Sequence, residues 1–297
     1  MSRRKYLLAS GCSYTNPNYV SGPHPEMDCS WPKWPEIVAD KLGLEAINLG
    51  RNGMGYKYIV DSLMPHIVSH PEDIEVVMVG WSETWRELYF HGAGVNMLAD
   101  FTAIGRLLGG KFEDGVEKPH AFQWRKANEW EDAHQPLNKI FLDCGWKNKT
   151  LSKEFMLHLY GDVFKNIVIL QRICKLYNIP VIQGNLLNMD IGAMYRMIIE
   201  DEIKDADTRN PYLLQIHQTS MDAFLNNEYF NDVDPKGWIG FPIFKDAGGF
   251  TIYDEIETRS WAEGREKYKI SSIDTHPNAY GQECIAKYYL EEYESIR

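Results

Sequence analysis

Short apolar runs alternate with amphipathic stretches over the first third of the chain. Three runs predict buried strands that close on small residues: KYLLAS at 5–10, EAINLG at 45–50 and EVVMVG at 75–80. Between them, residues 33–43 and 56–69 carry apolar side chains at helical spacing, and Pro65 is expected to kink or end the second helix. This alternation predicts a parallel sheet with helices on both faces.

The same pattern returns further along the chain. Residues 153–178 have helical spacing, 180–187 (PVIQGNLL) predict a fourth strand, and Tyr280 to Ile296 predict a closing helix. We interpret about 88–150 and 190–265 as insertions that decorate a single domain spanning 1–297. The predicted fold is therefore an α/β, flavodoxin-like three-layer α/β/α sandwich with a parallel sheet of about five strands.

Composition and charge narrow the range of functions. With 31 Lys+Arg against 42 Asp+Glu, the formal net charge of the 297 residues is −11. An acidic surface argues against nucleic acid and anionic lipid as partners, because phosphate contacts need clustered cations. A composition that is 25% charged and 44% hydrophobic is typical of a globular domain and excludes a disordered tail.

Cysteine usage and hydropathy indicate a cytoplasmic protein. The five cysteines show no C-x-x-C spacing, so neither a disulfide framework nor a zinc site is predicted, and no metal or cofactor is expected. The first apolar run, Tyr6 to Ala9, is too short for a signal-peptide core. No stretch approaches the roughly 18 apolar residues that a membrane helix requires.

Polar residues follow the predicted strands where a parallel sheet forms its ligand crevice. Ser13 lies in GCSYT (11–15), where the turn after the first strand aims its hydroxyl and amide into the crevice. The loop NLGRNGMG (48–55) contains three glycines, which permit close approach of the backbone to a ligand. The third loop, GWSETWRE (80–87), places Ser82 at a strand end, where an ordinary helix N-cap is the alternative interpretation.

A histidine near the C-terminus has the company that a catalytic base needs. His276 lies in DTHPN (274–278), two residues after Asp274 and directly before a proline. A carboxylate beside Nδ1 holds the tautomer in which Nε2 accepts a proton. A serine hydroxyl is a poor nucleophile unless such a base removes its proton. Ser13 and His276 are therefore predicted to form a nucleophile–base pair with a Ser–His distance near 3 Å.

Taken together, these blocks resemble the SGNH (GDSL-type) hydrolase superfamily, and the wording GCSYT and GWS-x-x-x-R is similar to a divergent branch common in tailed phages. The resemblance covers about 5–87, 153–187 and 270–295. It implies a Ser13, His276, Asp274 triad and an oxyanion hole formed by Ser13, Gly53 and Ser82. We assign substrate contacts in the same loops to three further residues: Asn52, Trp81 and Arg86.

Two departures from the family pattern affect the expected chemistry. Ser82 occupies the position of the family asparagine, so an amide donor to the oxyanion is replaced by a shorter hydroxyl, or its role falls to Asn52 or Arg86. The last block reads Asp-x-His instead of Asp-x-x-His, with Ile273 where the acid is usual. Asp274 must bend back to reach the imidazole, or a Ser–His dyad remains.

The resemblance implies a serine esterase acting on a small-molecule or glycan ester, with a carbohydrate O-acetyl group as one candidate. Cys12, beside Ser13, is a rival nucleophile, but neighbouring residues at a strand end face apart, which favours a packing role. The alternative from a different class is a catalytically weak or inactive SGNH-fold protein with a binding or structural role.

Overall fold

The computed structural model describes residues 5–84, 153–187, 211–264 and 267–297. The strands are β1 (Tyr6–Gly11), β2 (Glu45–Asn48), β3 (Ile74–Trp81), β4 (Val181–Asn185) and β5 (Trp238–Ile239). The α-helices are α1 (Trp34–Leu42), α2 (Tyr56–Ser69), α3 (Lys153–Leu176), α4 (Pro211–Leu225), α5 (Ile252–Glu263) and α6 (Ala279–Ile296). Short 3₁₀ turns lie at Pro71–Asp73, Phe230–Asp232 and Lys245–Ala247.

The five strands form one parallel sheet in the order β2-β1-β3-β4-β5. The chain moves from β1 outward to β2 and then crosses back to β3 on the other side of β1. Sheets of this kind open a crevice at the carboxyl ends of the strands where the direction of winding reverses. Here the reversal lies between β1 and β3. Gly11 and Gly80 are in register at the carboxyl ends of these two strands.

Alternating side chains on the central strands fill two separate cores. Leu8, Val77 and Val79 pack with α2, α3 and α4 on one face. Leu7 and Val76 pack with α1, α5 and α6 on the other. Because successive strand residues point to opposite faces, a strand buried on both sides must be largely apolar, as β1 and β3 are. The predicted α/β sandwich with about five parallel strands is confirmed.

Two local expectations differ from the structure. Helix α2 continues through Pro65 to Ser69, so this proline neither ends the helix nor bounds it. The described part of the segment 190–265 belongs to the sandwich and is not decoration: it supplies α4 and α5 to the two outer layers and β5 to the sheet edge. Strand β5 has two residues, which is too short for any alternation of apolar and polar positions to reveal it.

The expected insertion at 88–150 lies outside the described residues. None of the helices in the described ranges is long and apolar enough to cross a membrane.

Candidate active site

The loops that follow β1 and β2 are held together above the sheet edge by Thr15. A Cβ on Gly11 would lie 2.2 Å from Thr15 Oγ1, and one on Gly50 would lie 2.7 Å from the Thr15 backbone. A Cβ on Gly80 would lie 3.1 Å from Thr15 Oγ1 and 2.2 Å from Leu186. These glycines lie at or just beyond the carboxyl ends of three neighbouring strands. Close packing requires a glycine at each position, against Thr15 at Gly11 and Gly50 and chiefly against Leu186 at Gly80.

Ser13 lies at the rim of this crevice and contacts the predicted base. Its Oγ is 2.8 Å from His276 Nε2. The side chain is largely buried, with 9% of its surface exposed. The two residues are 263 positions apart in the chain, and the structure brings them to the hydrogen-bond distance that proton transfer between them requires.

His276 reaches Ser13 from a closed loop that precedes α6. The backbone of this loop pairs at its base, where Lys269 faces Pro277 and Ile270 N donates to His276 O. Helix α6 begins just beyond, with Asn278 accepting from the backbone N–H of Gly281 at its N-cap. The backbone on both sides of His276 is therefore held in place by hydrogen bonds.

Asp274 reaches the imidazole in spite of the short spacing. Its Oδ1 is 2.7 Å from His276 Nδ1 and also accepts from the His276 backbone N–H at 3.1 Å. A carboxylate only accepts hydrogen bonds, so Nδ1 carries the proton and Nε2 is left to accept from Ser13. The three predicted triad residues form one continuous chain of hydrogen bonds.

The charge on Asp274 is held by its surroundings. Burial alone raises the pKa of a carboxyl group, but hydrogen bonds from His276, its positive charge when protonated and the hydroxyl of Ser21 outweigh burial. The result lowers the pKa of Asp274 to about 2. Asp274 is therefore ionised at neutral pH and keeps the imidazole in the required tautomer.

The predicted oxyanion residues Gly53 and Ser82 lie on the loops that follow β2 and β3, the strands on either side of β1. Gly53 is buried and has a φ of 74°, a conformation that favours glycine, and it precedes the N-terminus of α2 by three residues. Ser82 directly follows β3 and is fully buried. Within the described ranges its Oγ has no hydrogen-bond partner.

The three residues assigned to substrate contacts lie in different surroundings or outside the described ranges. Asn52 is half-buried, and its side-chain oxygen accepts from Asn16 Nδ2 at 2.8 Å, which ties the β1 and β2 loops together. Trp81 is fully buried, stacks on Tyr56 and donates to Gln183 Oε1 at 3.1 Å. Its side chain is part of the core formed with α2, α3 and α4, and its predicted substrate contact stays a prediction. Arg86 lies outside the described residues.

Sequence reasoning missed four residues around the site. Tyr19 and Ser21 contact Asp274, Gln282 links the β1 loop to α6, and Asn185 ends β4 beside Trp81. Asn185 is fully buried, and neither atom of its amide has a hydrogen-bond partner within the described residues. Of these four, only Asn185 could have been identified from the sequence, because it is a polar residue at the end of a predicted buried strand. The roles of the other three depend on contacts between segments that are distant in the chain.

Two other groups bear on the predicted chemistry, the thiol of Cys12 and a set of possible metal ligands. Cys12 is fully buried in the core beneath α1 and α6, as its predicted packing role requires. The group of possible metal ligands found in the described ranges, His70, Glu72 and Asp73, lies just before β3. These residues therefore lie at the amino ends of the parallel strands, whereas Ser13 lies at the carboxyl ends.

The description of the site rests on its geometry alone, because the comparisons with known proteins gave no match. No protein-family model matches the chain, and no curated protein does.

Proposed function

We propose that the protein is a serine esterase that hydrolyses a small acyl ester through an acyl-enzyme. The observation that carries the proposal is the chain of contacts from Ser13 Oγ to His276 Nε2 (2.8 Å) and from His276 Nδ1 to Asp274 Oδ1 (2.7 Å). A nucleophile, a base and an acid that orients the base are the three parts that such chemistry needs. The resemblance to SGNH hydrolases supports the same assignment.

In the first half-reaction, His276 Nε2 takes the proton of Ser13 as Oγ bonds to the substrate carbonyl carbon. The negative charge that develops on the carbonyl oxygen is stabilised by the backbone N–H groups of Ser13 and Gly53 and by the Ser82 hydroxyl. Collapse of this intermediate breaks the ester C–O bond, and the departing alkoxide takes the proton from Nε2. An acyl group remains on Ser13.

In the second half-reaction, water replaces the alcohol. His276 Nε2 takes a proton from the water as its oxygen bonds to the acyl carbon. Collapse of this second intermediate breaks the bond between the acyl carbon and Ser13 Oγ, and Oγ takes the proton from Nε2. The products are a carboxylic acid and the free enzyme. Asp274 stays ionised throughout and stabilises the imidazolium that forms twice in each cycle.

The proposed substrate is a small acyl ester, with an O-acetyl group on a carbohydrate as the leading candidate. This assignment rests on the resemblance to SGNH hydrolases. The described residues supply the reacting groups, whereas the third loop beyond Thr84 lies outside them.

Labelling of Ser13 tests the proposal. A fluorophosphonate should form one covalent adduct with the wild-type protein, on the peptide that contains Ser13, and p-nitrophenyl acetate should be turned over. Ser13→Ala should lose the adduct and lower turnover by about 10⁴-fold or more, because the nucleophile is absent.

Cys12→Ala is the matched control, because it removes the neighbouring rival nucleophile and leaves Ser13 in place. This variant should keep the adduct. An unlabelled, folded wild-type protein would instead support the alternative, a catalytically inactive member of this fold with a binding role.

A further inference from the structure

The carboxylate of Asp274 accepts hydrogen bonds on both of its oxygens. Oδ1 faces His276, as described above. Oδ2 accepts from the Tyr19 hydroxyl at 2.9 Å and from Ser21 Oγ at 2.5 Å. Tyr19 and Ser21 come from the connection between β1 and α1, more than 250 positions from Asp274 in the chain. Val20 between them is 54% exposed, so the alternate residues turn inward onto the carboxylate.

Tyr19 also contacts the imidazole directly. Its ring stacks on His276 with 4.3 Å between centroids, and its oxygen is 2.8 Å from Nδ1. Since the Tyr19 proton is directed to Asp274 Oδ2 and Nδ1 carries its own proton, the phenol oxygen faces Nδ1–H as a second acceptor. One side chain therefore bridges the acid and the base. The pKa of Tyr19 is raised well above its usual range by burial and by the charge of Asp274, which keeps the bridging proton in place.

The backbone of Asp274 is held as firmly as its side chain. Its N–H donates to Ser271 Oγ at 3.0 Å, and its carbonyl accepts from the Ser271 N–H at 3.0 Å. Ser271 Oγ is in turn 2.8 Å from His24 Nε2. The backbone N–H of His24 donates to Ser21 Oγ. This ring of bonds joins the two loops on the side of Asp274 away from Ser13.

We infer that Tyr19 and Ser21 form a carboxylate clamp, which fixes Asp274 in the orientation that reaches His276 across a spacing one residue shorter than in the family pattern. The inference rests on the proposed function, and it makes Tyr19 and Ser21 positioning residues. With Oδ2 held by two hydroxyls, rotation of the carboxyl group would break two hydrogen bonds to a buried charge. Such bonds are among the stronger ones in proteins.

The experiment compares Tyr19→Phe and Ser21→Ala with Tyr14→Phe. Tyr14 is a matched control because its ring also lies beside His276, at 5.2 Å, but its hydroxyl donates to Thr275 O and not to Asp274. The ¹⁵N resonances of the His276 side chain at neutral pH report which nitrogen carries the proton. The kinetics of p-nitrophenyl acetate hydrolysis report kcat and KM separately.

Wild type and Tyr14→Phe should show the Nδ1–H tautomer alone, whereas each clamp variant should show a mixture of both tautomers. In the clamp variants kcat should fall by about 10- to 100-fold, as expected when a catalytic group is displaced by a fraction of an ångström to 1 Å. KM should change less than about threefold, because the clamp does not contact substrate.

Clamp variants that keep a single tautomer and the wild-type kcat would overturn the inference, as would an equal effect of Tyr14→Phe. The tautomer is measured without turnover, so the two proposals fail separately. A wild-type protein with the Nδ1–H tautomer and no acylation of Ser13 refutes the esterase alone.

Discussion

At the scale of single residues, the charge of Asp274 is the best-determined feature of the site. This residue is 2% exposed and its carboxyl group is nevertheless ionised, because four donors face the two oxygens. A buried carboxylate with fewer partners would be neutral at physiological pH. The same contacts that orient His276 therefore also contribute to folding stability, and that contribution depends on pH.

Replacing Asp274 with Asn should remove a pH-dependent part of the stability. The pKa of Asp274 in the folded protein, about 2, lies below the value of about 3.9 expected in an unfolded chain. The stabilisation is therefore complete above about pH 4 and is lost as the pH falls toward 2. Urea unfolding between pH 2 and 6 measures it. The difference in unfolding free energy between wild type and Asp274→Asn should shrink over that interval.

The same variant should lower kcat for p-nitrophenyl acetate by about 10⁴-fold at neutral pH, because an amide no longer enforces the Nδ1–H tautomer. A stability difference that stays constant from pH 6 to pH 2 would contradict the ionised state of Asp274.

At the scale of elements, the strand ends and the loops above them are matched in shape. Gly11, at the end of β1, and Gly50, just after β2, leave the space that Thr15 occupies. Thr15 in turn accepts from Trp34 Nε1 at 3.2 Å through Oγ1 and from Asn48 Nδ2 at 2.7 Å through its carbonyl. The turn that presents Ser13 is thereby fixed to α1 and β2.

Adding a methyl group at Gly11 should disturb this arrangement. In Gly11→Ala the new Cβ would lie 2.2 Å from Thr15 Oγ1 and 2.9 Å from the Gly80 carbonyl. Overpacking of this kind typically costs about 1–3 kcal/mol. Urea unfolding should show a loss of that order, and labelling of Ser13 should slow because its turn shifts.

Gly161→Ala makes the same chemical change in the middle of α3, where the new Cβ would have its nearest neighbour at 3.6 Å. This control should be stabilised by about 0.5–1 kcal/mol, since alanine is the better helix former. Equal effects at the two glycines would show that Thr15 does not constrain the strand ends.

At the scale of the whole molecule, the nucleophile and the base come from opposite ends of the chain, and Gln282 joins them. Gln282 in α6 donates to Tyr14 O at 3.0 Å and accepts from Trp34 N at 2.9 Å. It is 2% exposed. The side chain thus connects the helix that follows His276 to the turn after Ser13 and to the start of α1.

Gln282→Ala should leave two buried backbone groups without partners and cost about 2–4 kcal/mol of stability. The rate at which a fluorophosphonate labels Ser13 should also fall, because α6 and the β1 loop are no longer joined. Both effects are measurable on the purified protein, by urea unfolding and by intact mass.

Gln171 offers a matched control in the other layer. It donates to Asp234 O and accepts from Asp234 N, so Gln171→Ala breaks a similar pair of bonds far from Ser13. This variant should lose comparable stability and keep the wild-type labelling rate under folding conditions. A loss of labelling in Gln171→Ala as large as in Gln282→Ala would mean that Gln282 acts only through stability.

The local pattern of apolar and polar residues predicted much of the fold. The apolar runs that became β1, β3 and β4, and the helical spacing of α1, α3 and α6, follow from burial on both faces of a sheet or along one face of a helix. Helix α2 does not end at Pro65, and β5 was not predicted. A strand of two residues is too short to produce a periodic pattern in the sequence.

The sequence by itself determined which residues could carry the chemistry, since Ser13 after the first strand and Asp274 and His276 before the last helix could be singled out from their neighbours in the chain. Only the tertiary structure decided whether they meet, because a contact across 263 positions depends on how the layers close. It also decided the roles of Tyr19, Ser21 and Gln282, and moved Trp81 into the core. Those roles arise from hydrogen bonds between segments distant in sequence, which no local spacing encodes.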